Sequence, residues 1–285
     1  MAAILLDVVC VVLILSTPAS YLSLFRGLFA LQSTNGISVT AALVLALCAQ
    51  SQLATMYYLW ACPPFKRDGE VVPKPPQSTD YLNLVQLLVQ WICSLLLLAL
   101  LLVVRTRAQS GLEGYQTSPD DDNSPSNKTA ITLLTLHASF CIFWALLAGT
   151  PRDDWLDLPF VTIMGVNQYV VNPIVSIATA MAFVVQHGTT RDVEGPSALN
   201  RTTLLPPMLV FHALAVSWPF RFQVPQNLLL HDNWWILTVW YPLVGWTCVN
   251  NAVIAFGQVI LLYAMAGRSN GGVGLDGERE ALLIP

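Results

Sequence analysis

Residues Tyr81 to Val104 read YLNLVQLLVQWICSLLLLALLLVV, an unbroken run without one Asp, Glu, Lys or Arg. As a helix rising about 1.5 Å per residue, it reaches past the roughly 30 Å of a bilayer's hydrocarbon. Six more apolar stretches accompany it: Ala2 to Phe25, Ile37 to Trp60, Ala130 to Gly149, Leu158 to Gln186, Leu204 to Phe220 and Trp234 to Ala266. Across the 285 residues 55% are hydrophobic and 11% charged, where a soluble globular chain carries roughly 25% charge. Charge that sparse cannot coat a water-facing surface. The expectation is an all-α polytopic membrane protein of seven transmembrane helices, with the lipid bilayer as its first partner. The formal net charge is −4 and no run of five like charges occurs, so no nucleic acid is expected.

The first segment lacks a basic residue before it and carries Asp7, unlike a secretory signal, and is read as a retained helix. In the sixth, Pro206 and Pro207 stand at the opening, where a first turn tolerates them, and Pro219 closes it. Lys and Arg in the connections after helices one, three, five and seven number eight: Arg26, Arg105, Arg107, Lys128, Arg191, Arg201, Arg268 and Arg279. The other side holds five: Lys66, Arg67, Lys74, Arg152 and Arg221. That bias sets the C-terminus in the cytosol and the N-terminus in the lumen or outside. Gln109 to Lys128, with Asp120-Asp121-Asp122, is rich in Ser, Gly, Asp, Asn and Pro and reads as a solvated linker.

Polar side chains recur on helix faces. In the fifth segment Gln168, Asn172, Ser176 and Thr179 stand four, four and three residues apart, Gln186 continues the face, and Pro173 falls within it. Such a stripe in lipid must meet protein or water; it is either a solute pathway with a hinge or interhelical hydrogen-bond glue. Gln86, Gln90 and Ser94 share a face of the third segment, Ser51, Thr55 and Tyr58 of the second, and Asn251 and Gln258 of the seventh. Together these faces point to a lined central cavity. Asp7 is the one carboxylate within a span and the candidate for proton coupling, while His137 and His212 read as packing residues. Five of six cysteines lie in apolar stretches and Cys62 at the edge of one, which is neither a disulfide framework nor a metal spacing. Asp153-Asp154-Trp155-Leu156-Asp157 matches D-D-x-x-D, a Mg²⁺-diphosphate pattern. However, Thr150-Pro151-Arg152-Asp153 reads more simply as a helix cap with acids in its first turn. No metal, cofactor or catalytic residue is expected.

The connections after the first and fifth segments, Ser33-Thr34-Asn35-Gly36-Ile37-Ser38 and Asp192-Val193-Glu194-Gly195-Pro196-Ser197, each place a Gly two residues before a Ser ahead of an apolar helix. A shift of four helices relates them. This pattern resembles the PQ-loop repeat family, the group of SWEET, cystinosin and KDEL-receptor proteins. Ser217-Trp218-Pro219-Phe220-Arg221 is similar to the sixth helix of fungal members, and Asn251 and Gln258 to a polar seventh-helix face. The Pro-Gln pairs are degenerate, with Ser23-Leu24 and Ala182-Phe183 in their places. The resemblance implies two parallel three-helix repeats joined by a linker helix. The divisions are 1–104, the first repeat; 105–129, a flexible cytosolic linker; 130–149, the linker helix; 150–266, the second repeat; and 267–285, a cytosolic tail. It also implies hinges at Pro18 and Pro173, which let helices bend in alternating access.

The expected function is an endomembrane transporter of a small polar solute such as an amino acid. The alternatives are a cargo or sorting receptor on the same fold, or a membrane prenyl-diphosphate enzyme using Asp153, Asp154 and Asp157. Glu278-Arg279-Glu280-Ala281-Leu282-Leu283 fits an acidic dileucine signal read by a clathrin-adaptor-type complex, which sets the expected location at the vacuolar or lysosomal membrane. The sequons at Asn127 and Asn200 both fall on the cytosolic side in this orientation and are expected to stay unmodified. A glycosidase-sensitive mass shift abolished by Asn200→Gln would show the molecule to be inverted.

Overall fold

The computed structural model describes residues 2–61, 76–110, 124–149, 162, 165–191, 197–222 and 236–271. Asp153, Asp154 and Asp157, and the tail holding Glu278, Leu282 and Leu283, lie outside these residues. Seven helices are formed: α1 (Ala2–Leu31), α2 (Val39–Ala61), α3 (Ser78–Gln109), α4 (Asn127–Gly149), α5 (Asn172–Arg191), α6 (Arg201–Ser217) and α7 (Trp246–Gly271). A π-helical turn, Asn167–Val171, leads into α5, and a longer one, Ile236–Gly245, into α7. A 3₁₀ turn, Trp218–Phe220, ends α6. With these lead-ins, α1, α2, α3, α5, α6 and α7 are each long and apolar enough to cross a membrane.

Hydrogen bonds between helix ends fix their directions. Asp7 near the start of α1 accepts from Ser78 (2.6 Å) and Thr79 (2.8 Å) at the start of α3. At that same end Trp60 meets Tyr81, Asn167 donates to Thr55, and Arg221 donates to Asn83. The opposite end carries the α1–α2 turn around Gly36, the ends of α3 and α5, and the starts of α4 and α6. There Arg105 donates to the Pro125 carbonyl (2.7 Å) and Asn127 to Thr106 (2.7 Å), so both borders of the 105–129 connection are tied together. Successive helices therefore alternate in direction, and α1 and α5 run parallel. Within the first half α3 packs against both α1 and α2; within the second α7 packs against both α5 and α6. The halves meet where α2 lies on α5 and α1 on α6, and α4 lies on α2.

The polarity is inside out. Gln86, Asn250 and Asn251 are 0% exposed, whereas Phe220 and Tyr263 are 72% and 82% exposed. Leu136, Phe140 and Leu146 on α4 and Ile174, Ile177 and Val184 on α5 also face outward. Water would penalise such a surface, and hydrocarbon does not.

The start of the sixth helix differs from the sequence reading in a way that moves its prolines. The sixth begins at Arg201, three residues before the expected Leu204, because Asn200 and Thr203 exchange capping hydrogen bonds: Thr203 N–H to Asn200 Oδ1 (3.0 Å) and Asn200 N–H to Thr203 Oγ1 (2.9 Å). Pro206 and Pro207 thus sit inside α6 rather than in its first turn. The caps also reset the comparison of the two turns. Ser38 caps α2 by accepting from the Ala41 N–H (3.2 Å), so its counterpart at α6 is Asn200, not Ser197. Ser197 instead donates to the Asn35 carbonyl (2.8 Å), joining the two turns directly.

Gln186 completes the joint. Its Nε2 donates to the Gly36 carbonyl (2.7 Å) and its Oε1 accepts from the Ser38 N–H (3.0 Å). Gly36 has φ 82°, a left-handed conformation that glycine adopts without strain. Leu24, Leu28, Ile37, Ala198, Leu199 and Leu204 seal the joint in one buried cluster. Gln186→Leu should lower stability by about 1–3 kcal/mol, since it strands two buried backbone groups. Thermal unfolding in detergent measures this, and an unchanged midpoint would remove the clasp as a source of stability.

Candidate functional site

Helical spacing brings the polar faces of α3, α5 and α7 to the bundle centre. On α3, Asn83, Gln86 and Gln90 stand three and four residues apart and are all buried. Gln86 Nε2 donates to Thr17 of α1 (2.9 Å), and Gln90 Nε2 to Asn251 Oδ1 of α7 (3.2 Å). A cavity of about 100 Å³ lies beside Gln90, enclosed by Ser94 and by Thr179, Phe183 and Gln186 of α5 with Gln258 of α7. Of the expected pathway residues it gathers Gln90, Thr179 and Gln258, from three helices. Gly257 permits this closeness, because a Cβ there would overlap the Phe183 ring.

The remaining α5 residues form a second cluster nearer the Asp7 end. Thr55 of α2 donates to Asn172 Oδ1 (3.4 Å) and accepts from Asn167 Nδ2 (3.1 Å). Ser176 bonds to Asn250 Oδ1 (2.6 Å) and lies 2.9 Å from the Tyr241 hydroxyl. Neighbouring asparagines of α7 thereby serve different partners, Asn250 facing α5 and Asn251 facing α3. Gln168 lies buried in the turn before α5.

Many of these groups are only half used. Gln168 Nε2, Asn172 Nδ2, Asn250 Nδ2, Asn251 Nδ2, Gln86 Oε1 and Gln258 Oε1 are buried without a hydrogen-bond partner. Each such group costs about 1–3 kcal/mol in a protein interior, and nothing in hydrocarbon offsets it. The centre thus holds both unpaired donors and unpaired acceptors among the described residues.

The proline positions coincide with irregular helix. Pro173 directly follows the π-helical turn Asn167–Val171, and Pro242 lies within Ile236–Gly245. A wider turn accommodates the proline ring and its missing donor. The second irregular turn meets α5 itself through Tyr241 and Ser176, one turn beyond Asn172. Pro242, Tyr241 and Asn250 were not singled out from the sequence; the proline was the available signal. Pro18 stands inside a continuous α1, where Ser16, Thr17 and Ser20 turn their hydroxyls back onto the helix carbonyls, a local weakening of the helix ladder.

Asp7 is not in the centre. It is held by Ser78 and Thr79 at the N-terminus of α3, where the helix dipole favours a carboxylate. His137 bonds to Ser51 (3.1 Å), tying α4 to α2. At the Asp7 end Arg221 is buried; its Nη1 donates to Asn83 Oδ1 (3.3 Å), its Nη2 to Ser217 Oγ (2.9 Å), and it lies 4.8 Å from the centre of the Trp218 ring. Burial lowers its pKa from the ordinary arginine value, with the Cys10 thiol acting the other way; a guanidinium keeps its charge regardless.

No family model matches the chain, and neither a curated protein nor a solved structure is found similar to it. Its class rests on its own fold: a multi-pass helical integral membrane protein with a buried polar centre.

Proposed function

We propose that the protein carries a small polar solute, such as an amino acid, across an endomembrane by alternating access. The observation that carries this reading is the set of unpaired amides on α3, α5 and α7. Interhelical glue would engage both ends of each amide, and these leave one end without a partner among the described residues. The PQ-loop-type arrangement of two parallel three-helix repeats with α4 as linker is supported by the packing. Exchanging α1, α2 and α3 with α5, α6 and α7 maps each set of helix contacts onto the other, including α2 on α5 onto α6 on α1. Pro18 and Pro173 are the hinges of this reading, with Pro242 as a third.

A receptor that holds its ligand without flux is the second reading. The cavity beside Gln90, about 100 Å³, is smaller than the roughly 300 Å³ at which ligand pockets begin, and its size selects neither reading. In the transport reading the same cavity is an occluded state. The Gly36 end carries Arg26, Arg105, Arg107, Lys128, Arg191 and Arg201, which supports a cytosolic assignment for that end and a luminal N-terminus. With the tail also cytosolic, Glu278, Leu282 and Leu283 are placed to meet a sorting adaptor that delivers the protein to the vacuolar or lysosomal membrane. Replacing Leu282 and Leu283 by Ala should leave a tagged chain at the plasma membrane or Golgi; unchanged delivery would exclude the motif.

A solute-flux screen on purified protein in liposomes tests transport. Asn172→Leu and Asn251→Leu should each lower flux about three- to tenfold, the worth of one hydrogen bond. Pro173→Ala should lower it at unchanged expression and melting temperature. Solute retained with no flux in the unmutated protein would select the receptor instead.

A further inference from the structure

Arg221 is a buried cation whose protein partners are both neutral. Asn83 and Ser217 accept from its two terminal nitrogens, Trp218 lies against it, and among the described residues no carboxylate pairs with it. An isolated charge so placed is among the costliest things a fold can hold. Three further polar atoms of this cluster lack partners: Arg221 Nε, Asn83 Nδ2 and Trp218 Nε1. All three are N–H donors, whereas the central cluster leaves donors and acceptors open together. Donors alone, around one positive charge, complement an acceptor that carries negative charge.

We propose that Arg221, Asn83 and Trp218 form a recognition site for the carboxylate of a small solute. A guanidinium presents a planar fork that matches a carboxylate, and one positive charge balances one negative charge. A phosphate dianion would bring an uncompensated charge into the same buried place. A lipid headgroup would need a guanidinium turned to the bilayer, and Arg221, 4% exposed, bonds to Asn83 on the inner face of α3. That face leads inward. Asn83, Gln86 and Gln90 lie along it, and Gln90 borders the central cavity. A solute held by its carboxylate at Arg221 stands at the mouth of the polar column, its remaining polar groups directed toward open amides. The site rests on the transport reading for one step alone, that the bound anion is the solute carried.

The test is ligand-dependent thermal unfolding of the purified full-length protein with acetate and L-alanine, acetamide as the neutral control and inorganic phosphate as the dianion. Lipid nanodiscs with and without phosphatidylserine form a separate arm. Acetate or L-alanine should raise the melting temperature, and acetamide, phosphate and phosphatidylserine should not. Arg221→Gln should weaken the response about tenfold or more. Trp218→Phe keeps an aromatic ring beside the guanidinium and removes the pyrrole ring with its N–H; it lowers the unliganded melting temperature through the buried volume lost, and the ligand-induced rise, read against the variant's own baseline, should be smaller. No response to either carboxylate, an equal response in both variants, or a response confined to phosphate or phosphatidylserine overturns the site. Destabilisation by Asp232→Asn without any anion response would assign Arg221 to an ion pair within the chain, and also overturns it. Carboxylate binding without flux keeps the site and removes transport; flux of a neutral solute without carboxylate binding does the reverse.

Discussion

Gln186 reaches from α5 into the α1–α2 turn and satisfies a carbonyl and an N–H of that turn with one amide. Both backbone groups are buried away from water, where an unpaired N–H or C=O is rarely tolerated. The side chain therefore acts as a missing piece of backbone, its amide supplying donor and acceptor from two separate atoms. Because Gln186 stands near the end of α5, the bond also sets how far α5 reaches along α2, and hence which residues of the two helices face each other further along. Thr55 meets Asn172, about four helical turns back along α5 from Gln186, in the register that this alignment sets. The joined turns, the Asn200–Thr203 cap and the Arg105–Pro125 bond make the Gly36 end a closed structure.

The opposite end is built differently. There the helices enter through π-helical turns beside Pro173 and around Pro242, and the side chains that join them are hydroxyls and amides rather than backbone groups. A π turn makes poorer hydrogen bonds than an α turn, and proline removes one altogether. Compliance is thus concentrated at the Asp7 end of α5 and α7, and rigidity at the Gly36 end. Between them lies the polar centre, and in the transport reading it is bending at this end that would change access to the amides while the clasp holds.

The apolar runs and their polar faces were legible in the sequence because hydropathy and a 3.6-residue period are local properties. Gln168, Asn172, Ser176 and Thr179 do share a buried face, as their spacing required. Local signals could not say which partners they meet. Gln186 read as one more residue of the stripe, yet it belongs to the turn of the other half, 150 residues earlier in the chain. Asn250 was hidden by its neighbour: a periodic face admits Asn251, and the adjacent residue serves a different helix. The start of α6 was misread because two prolines outweighed a capping pair, although Asn200 and Thr203 have the spacing of a cap. Arg221 stood in the sequence as a loop charge and as the last residue of the Ser217–Arg221 stretch, and nothing in its surroundings announces burial.

Arginine placement carries a physical asymmetry. At the Gly36 end Arg26, Arg107, Arg191, Arg201 and Lys128 are exposed, where water and headgroups solvate them and their cost is small. Arg105, as buried as Arg221, donates to the backbone carbonyl of Pro125 beside the 105–129 connection. Arg221 stands at the other end and inside the bundle, between α3 and the 3₁₀ turn that closes α6. Topology alone gives no reason to keep a cation there, because the orienting bias is already set by the opposite end. Packing gives little more: an apolar side chain would fill the space against Trp218 without needing Asn83 and Ser217 to accept from it. What an apolar residue could not do is oppose a negative charge in a place that water reaches only through the bundle. If Arg221 meets the carboxylate as proposed, the neutral amides further in are left to discriminate among solutes by shape and hydrogen bonding.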